Sequence, residues 1–223
     1  MFFAFESIKK HCKNMTKALE IMSALCYTVG VTNKRRCLMR KNFGVKNWLY
    51  PMPVFIVGSY DENGTPNAMN AAWGGIYDTN LLMVCLADEH KTTENIKKTG
   101  CFTVSFATEK SVVMADYVGI VSANDNPDKV KSAGLHSLKS EFVNAPLFEE
   151  LPVAVECRLL KFNEDGICIG EIVNVSADES VVAEDGKIDH TLLAPICYDS
   201  VRHNYIGLGK VVGKAFSDGK KLL

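Results

Sequence analysis

The chain holds eight cysteines but no Cys-x-x-Cys pair. Several sit in strand-like runs such as Leu82-Met83-Val84-Cys85-Leu86, where a thiol behaves as a small buried apolar group, so neither a zinc cage nor a disulfide framework is expected. Free thiols point to a reducing cytoplasm. The five histidines form no His-x-x-x-His or comparable cluster, and no metal site is expected; His136 and His190 read as surface residues. There is no Gly-x-Ser-x-Gly elbow and no Cys/His arrangement, which removes covalent hydrolysis. Gly207-Leu208-Gly209-Lys210-Val211-Val212-Gly213 approaches a dinucleotide fingerprint, but its third glycine comes one residue late and no βαβ unit or acidic partner follows. The formal net charge is only −1, which gives no reason to expect nucleic acid or an anionic membrane as partner.

A long apolar run is also missing. Ala18 to Val31 is fourteen residues, contains Glu20 and precedes Lys34-Arg35-Arg36. It is too short to span a bilayer, and although Lys9, Lys10, Lys13 and Lys17 precede it, Thr32-Asn33-Lys34-Arg35-Arg36 follows where a cleaved export signal would carry small residues. Charge divides the chain there. Residues 1 to 41 carry nine Lys/Arg against two Asp/Glu, whereas residues 42 to 223 carry sixteen against twenty-four. We therefore read 1–41 as a basic N-terminal extension, with Met39 a candidate start and an amphipathic helix docking on a partner as the functional alternative. Residues 42–223 are read as one domain, since 47% hydrophobic content over this length can bury a full core.

From residue 53 onward, short β-rich runs alternate with turn signals, which predicts antiparallel sheet rather than repeated βαβ units. Pro53 to Tyr60 and Asn67 to Trp73 flank Asp61-Glu62-Asn63-Gly64, a hairpin turn because Asn and Gly tolerate positive φ. Val153 to Phe162 and Ile167 to Ser176 flank a second, Asn163-Glu164-Asp165-Gly166. Asn80 to Ala87 is apolar enough to be buried on both faces. Thr92 to Thr99 reads as a helix ended by Gly100, Cys101 to Ala107 as a strand, and Ser111–Gly119 and Pro127–Gly134 as short helical turns. The expected class is mainly β, a barrel with a few helices that removes exposed edges.

Two segments carry candidate chemistry. In Asn67-Ala68-Met69-Asn70-Ala71-Ala72-Trp73-Gly74-Gly75, small residues let the backbone approach a ligand, Trp73 offers a flat surface, and Asn67 and Asn70 offer amides that match a polar heterocycle. The structural alternative is a closely packed strand with Trp73 in the core. In His90-Lys91-Thr92-Thr93-Glu94, a strand runs into a helix start. Thr92 is a plausible N-cap, and free N–H groups with Lys91 and His90 suit a phosphate. The bland alternative is an ordinary capped surface helix. Taken together, a polar small-residue strip beside a Lys-Thr phosphate cradle matches what flavin mononucleotide (FMN) needs.

Trp48-Leu49-Tyr50-Pro51-Met52-Pro53-Val54, the Asn67–Trp73 strip, His90-Lys91-Thr92, Asp116-Tyr117-Val118-Gly119-Ile120-Val121-Ser122, Asp128-Lys129 and Ala145-Pro146 resemble the flavin reductase-like family, in particular its flavoredoxin branch, over roughly residues 42 to 221. The resemblance implies an FMN-binding split barrel of antiparallel Greek-key type that forms a homodimer, with noncovalent FMN near the subunit interface. It implies phosphate contacts from His90, Lys91 and Thr92, a ring lying along Asn70, Ala71, Ala72 and Trp73 with Asn67 and Met69 on the same strip, and further contacts from Tyr117 and, least directly, Tyr205. It implies electron transfer from NAD(P)H or a protein donor to a flavin, metal complex or protein acceptor, with redox chemistry at the flavin and no catalytic side chain required. The alternatives are an electron carrier without turnover on small molecules and a flavin-storage or sensing module.

Overall fold

The computed structural model describes residues 40–223. The basic extension therefore lies outside the described residues except for Arg40 and Lys41. By its contacts the chain divides after Lys46, and the account below concerns Asn47–Leu223.

Seven strands form the main sheet: β2 (Phe55–Tyr60), β3 (Pro66–Ala71), β4 (Gly74–Asp78), β5 (Leu81–Cys85), β6 (Cys101–Phe106), β9 (Val153–Phe162) and β10 (Ile167–Ala177). Their order is β3-β2-β6-β9-β10-β5-β4, antiparallel throughout. Short β1 (Met52–Pro53), β11 (Ile196–Asp199) and β12 (Asn204–Gly207) make a three-stranded sheet, and β7 (Ser137–Lys139) pairs with β8 (Pro146–Phe148). The helices are α1 (Lys91–Thr99), α2 (Val112–Ile120), α3 (Lys129–Ser132) and α4 (His190–Leu193). β3 and β4 follow one another in the chain, joined by Ala72 and Trp73, yet occupy opposite edges of the sheet. A sheet tethered in that way must curl, and the result is a split barrel of Greek-key type.

The turns follow their sequence chemistry. In the β2–β3 hairpin Gly64 takes φ +81°, and Asp61 Oδ1 accepts from the N–H groups of Asn63 at 2.9 Å and Thr65 at 2.7 Å. In the β9–β10 hairpin the Asn163 N–H donates to the Ile167 carbonyl at 3.0 Å. Gly166 there has φ +76°, and a Cβ would sit 2.8 Å from the Leu86 carbonyl oxygen, so only glycine fits.

β2 is buried on both faces because it separates two cores. Phe55 and Val57 join Val84, Phe102, Val104, Cys157 and Cys168 inside the curled sheet, and Val54 and Ile56 pack with Ala115, Val118, Val130 and Phe148 beneath the helices. Burial raises the Cys157 and Cys168 thiols to about 12, which leaves them protonated and inert. All five described cysteines are free.

β5 departs from expectation. Only Leu82 and Val84 are fully buried, while Leu81, Met83 and Cys85 are partly exposed, and β5 lies beside the edge strand β4. Trp73 is not a core residue either; it lies past the end of β3 and is 58% exposed. β4 itself is a strand that the expected pattern lacked. No described helix is long and apolar enough to cross a membrane.

Candidate functional site

α1 begins where β5 leaves the sheet. Its N-cap is His90, not Thr92, and His90 makes no side-chain cap bond. Thr92 is unavailable as a cap because its side chain is buried and its Oγ1 accepts a hydrogen bond from Asn67 Nδ2 at 2.8 Å. Thr93 Oγ1 donates instead to the Ala87 carbonyl at 2.7 Å, tying the first turn to the preceding loop. The N–H groups of Lys91, Thr92 and Thr93 precede any intrahelical acceptor, so they form the positive end of the helix dipole. The far end closes as expected, on Gly100 in the left-handed region with its N–H on the Ile96 carbonyl.

In front of that turn is a cleft of about 170 Å³ lined by Asn67, Met69, His90, Lys91, Thr92, the segment Val118–Ala123 and Lys129. Two buried polar atoms in its wall, Asn67 Oδ1 and His90 Nδ1, have no hydrogen-bond partner among the described residues. Buried polar atoms are ordinarily satisfied, so these mark where a ligand's polar groups belong. Lys91 is partly spent on Glu94, with Nζ 3.0 Å from Oε2. Lys129 is not: it is only 4% exposed, and no ion pair to it exists among the described residues. Burial lowers its ammonium to about 8. A buried, unpaired lysine beside a helix N-terminus is an anion site.

The trough continues on both sides. Toward the β2–β3 turn it opens between Asp61, Thr65, Asn67, Lys91, Asn95 and Asn124, and Asn95 Oδ1 is a further unpartnered buried atom. Past Gly119 and Ile120 it enters a cleft of about 390 Å³ lined by Asn70, Ala72, Asp116, Tyr198, His203 and Tyr205. Asn70 is fixed there by a bond from Nδ2 to the Ala115 carbonyl at 3.0 Å. Gly119 is what lets α2 approach this closely, since a Cβ would lie 3.1 Å from Asn70 Cβ. Tyr205 donates to Asp116 Oδ1 at 2.8 Å, and burial followed by Asp116 pushes its phenol up to about 12. Tyr198 Oη and His203 Nδ1 are 2.6 Å apart.

Of the residues expected from sequence, Asn67, Met69, His90, Lys91 and Thr92 line the first cleft, and Asn70, Ala72 and Tyr205 the second. Ala71 faces the other way, into the core, as strand alternation requires between Asn70 and Ala72. Trp73 lines neither cleft. Tyr117 packs against the core under α2, where its hydroxyl accepts from Asn126 Nδ2 at 3.4 Å. Sequence reasoning missed Lys129 and Tyr198 as lining residues; Asp116 and His203 fall in the Asp116–Gly119 and Arg202–Tyr205 segments that the family resemblance places near the site, though neither was singled out. For Lys129 the available signal was its place beside Asp128 in a segment already matched to the family.

A curled antiparallel half-barrel carries a helix start with free N–H groups beside one cleft and a roomier polar cleft next to it, a shape with room for an elongated ligand. The flavin reductase-like domain model matches residues 48–199, and the chain belongs to that family. Among solved structures it resembles the flavoredoxin of Desulfovibrio vulgaris (Miyazaki F), 38% identical with TM-score 0.78 over 81% of this chain and 100% of that one. It also resembles the flavoredoxin of Methanosarcina acetivorans, 26% identical with TM-score 0.75 over 82% and 100%. An uncharacterized protein of Archaeoglobus fulgidus is 30% identical over 72% of this chain and 87% of its own length. The match to an uncharacterized protein of Aeropyrum pernix, 32% identical, spans 53% of this chain and 45% of that protein.

The residues present fit a flavin nucleotide. The phosphate end meets Lys129 and the free N–H groups of α1, the unpaired Asn67 Oδ1 and His90 Nδ1 suit hydroxyl and amide partners, and the second cleft offers an amide and two phenols to a polar ring.

Proposed function

We propose that this protein binds FMN noncovalently and passes electrons through it as an oxidoreductase, from NAD(P)H or a reduced protein donor to a flavin, metal complex or protein acceptor. The observation that carries this reading is the buried Lys129, without an ion pair among the described residues, in the cleft before the first turn of α1, whose wall also leaves Asn67 Oδ1 and His90 Nδ1 unsatisfied. A neutral ligand would leave that charge uncompensated, whereas a phosphate monoester neutralises it.

Bound FMN would supply reversible one- and two-electron chemistry; the protein's part is to hold and bias it. Lys129, Lys91 and the first turn of α1 anchor the phosphate. Asn67 keeps Thr92 turned away from solvent so that the α1 N–H groups stay open to the anion. Asn70, held by the Ala115 carbonyl, presents its remaining amide capacity to the ring. Asp116 and Tyr205 place a negative charge and a phenol at the rim of the second cleft. Among the described residues the β4 edge of the main sheet has no further strand paired to it, and we infer that the working form is a homodimer.

The test compares FMN with riboflavin on apoprotein by quenching of flavin fluorescence. FMN should bind at least about 100-fold more tightly, in line with a charge-assisted anion site. Lys91→Ala with Thr92→Ala should erase most of that difference while leaving riboflavin affinity nearly unchanged. Equal affinities in the unsubstituted protein would overturn the assignment. Anaerobic mixing with NADH, NADPH and dithionite then separates a nicotinamide-driven enzyme, bleached by all three, from a carrier bleached by dithionite alone.

A further inference from the structure

After Gly207 the chain leaves β12 as an arm of residues 208–223 that the rest of the domain does not cover. Val211 is 71% exposed, Val212 94%, Phe216 98% and Leu222 92%. The arm is nevertheless shaped: the Lys214 N–H donates to Asp218 Oδ2 at 2.7 Å, and a 3-10 turn spans Asp218–Leu222. Between Gly209 and Gly213 the backbone makes no hydrogen bond among the described residues. Such a combination of exposed apolar side chains and backbone groups free of hydrogen bonds among the described residues leaves the arm able to pair with a sheet edge.

The same molecule presents a sheet edge without a strand. Among the described residues β4 pairs only with β5 and ends the seven-stranded sheet, and its Ile76 and Tyr77 are 69% and 54% exposed. Charge matches as well. Residues 208–223 carry four lysines and one aspartate, whereas residues 42–207 carry twelve Lys/Arg against twenty-three Asp/Glu. Beside the edge, Asp78 and Glu171 are both in register with Leu81, which puts two carboxylates on one rung.

We propose that the arm of one copy docks on the β4 edge of a second copy, its Gly209–Gly213 backbone extending the sheet and Val212 and Phe216 covering Ile76 and Tyr77. Strand addition of this kind draws affinity from main-chain hydrogen bonds and register from alternate side chains. The arm starts three residues after Tyr205, which lines the second cleft, and the β4 edge starts beside Trp73. The contact therefore ties the site of one copy to the sheet of the other. The inference rests on the homodimer reading given above.

The FMN-loaded full chain, a chain ending at Gly207, the Val212→Asp/Phe216→Asp variant and Ile76→Asp are compared by light scattering and sedimentation, with circular dichroism to monitor folding. All substituted side chains are exposed, so folding should be kept. The full chain should be a dimer, and the truncated chain and both substituted forms should dissociate at least tenfold more readily. A monomeric full chain would overturn the dimer itself and the arm with it. A dimer that survives truncation and both sets of substitutions would overturn the arm alone. Co-sedimentation with phosphatidylglycerol vesicles that disappears on truncation, with the dimer intact, would assign the arm to lipid and also refute the proposal.

Discussion

Asn67 Nδ2 donates to Thr92 Oγ1 at 2.8 Å, a bond that joins β3 to the first turn of α1 and turns the Thr92 hydroxyl inward. The phosphate-type cradle is thus set by a strand residue, not by the helix that forms it. Replacing Asn67 with Ala leaves a buried hydroxyl without its donor. We expect a loss of about 1–2 kcal/mol in stability and at least a tenfold loss in FMN affinity, read from urea melts of the apoprotein and fluorescence titration.

Lys129 makes the apoprotein's stability rise with pH over a defined window. Its folded-state value is lowered to about 8 from an ordinary 10.5. Between those limits the unfolded chain holds more protons than the folded one, so unfolding becomes harder as pH rises across the window. Below about pH 8 the cost of burying the ammonium is fully present, on the order of 3 kcal/mol. Lys129→Met should therefore stabilise the apoprotein at pH 7, and the gain should vanish above about pH 10.5. Urea melts at pH 7 and 10.5 on both proteins test this.

The same group predicts proton uptake on ligand binding. A phosphate against Lys129 favours its charged form, so FMN binding near pH 8.5 should take up a proton and riboflavin binding should not. Calorimetric titrations in buffers of different ionisation enthalpy read the difference; identical proton counts for the two ligands would contradict the anion role of Lys129.

Gly119 sets the spacing between α2 and Asn70, with a hypothetical Cβ 3.1 Å from Asn70 Cβ. Gly119→Val should displace Asn70 and cut affinity for both FMN and riboflavin by similar factors, in contrast to the phosphate-end variants, which separate the two.

In the core, Gly170→Ala would place a Cβ 2.5 Å from the Phe102 ring, which is fully buried. Overpacking of this kind costs about 1–3 kcal/mol, measurable as a lower melting temperature with no preferential effect on FMN over riboflavin.

The hairpins were legible in the sequence because Asn-Gly and Asp-Gly turns have few other uses, and α1 was legible because Gly100 stops it. β4 was hidden: Gly74-Gly75 disfavours strand, and what holds it is pairing with β5, the next strand in the chain. Ala71 was assigned to the site although its neighbours Asn70 and Ala72 already fixed its side of the strand. Lys129 escaped because a lysine on a four-residue helix reads as solvated surface, and only tertiary packing under Val118–Ala123 removes it from water.

Ala72 and Trp73 connect strands that lie at the two extremes of the main sheet. During folding, the β2–β3 and β4–β5 hairpins can each form locally, but the order between them is completed only when β6, β9 and β10 have been inserted. The β2–β6, β6–β9 and β5–β10 pairings are distant in sequence and so come late. The second cleft, which borrows Asn70 and Ala72 from this junction, exists only once the last of them has zipped. Appearance of ring binding in a refolding experiment would therefore time the closing step of the barrel, and the cofactor would lock a chain that has already finished assembling.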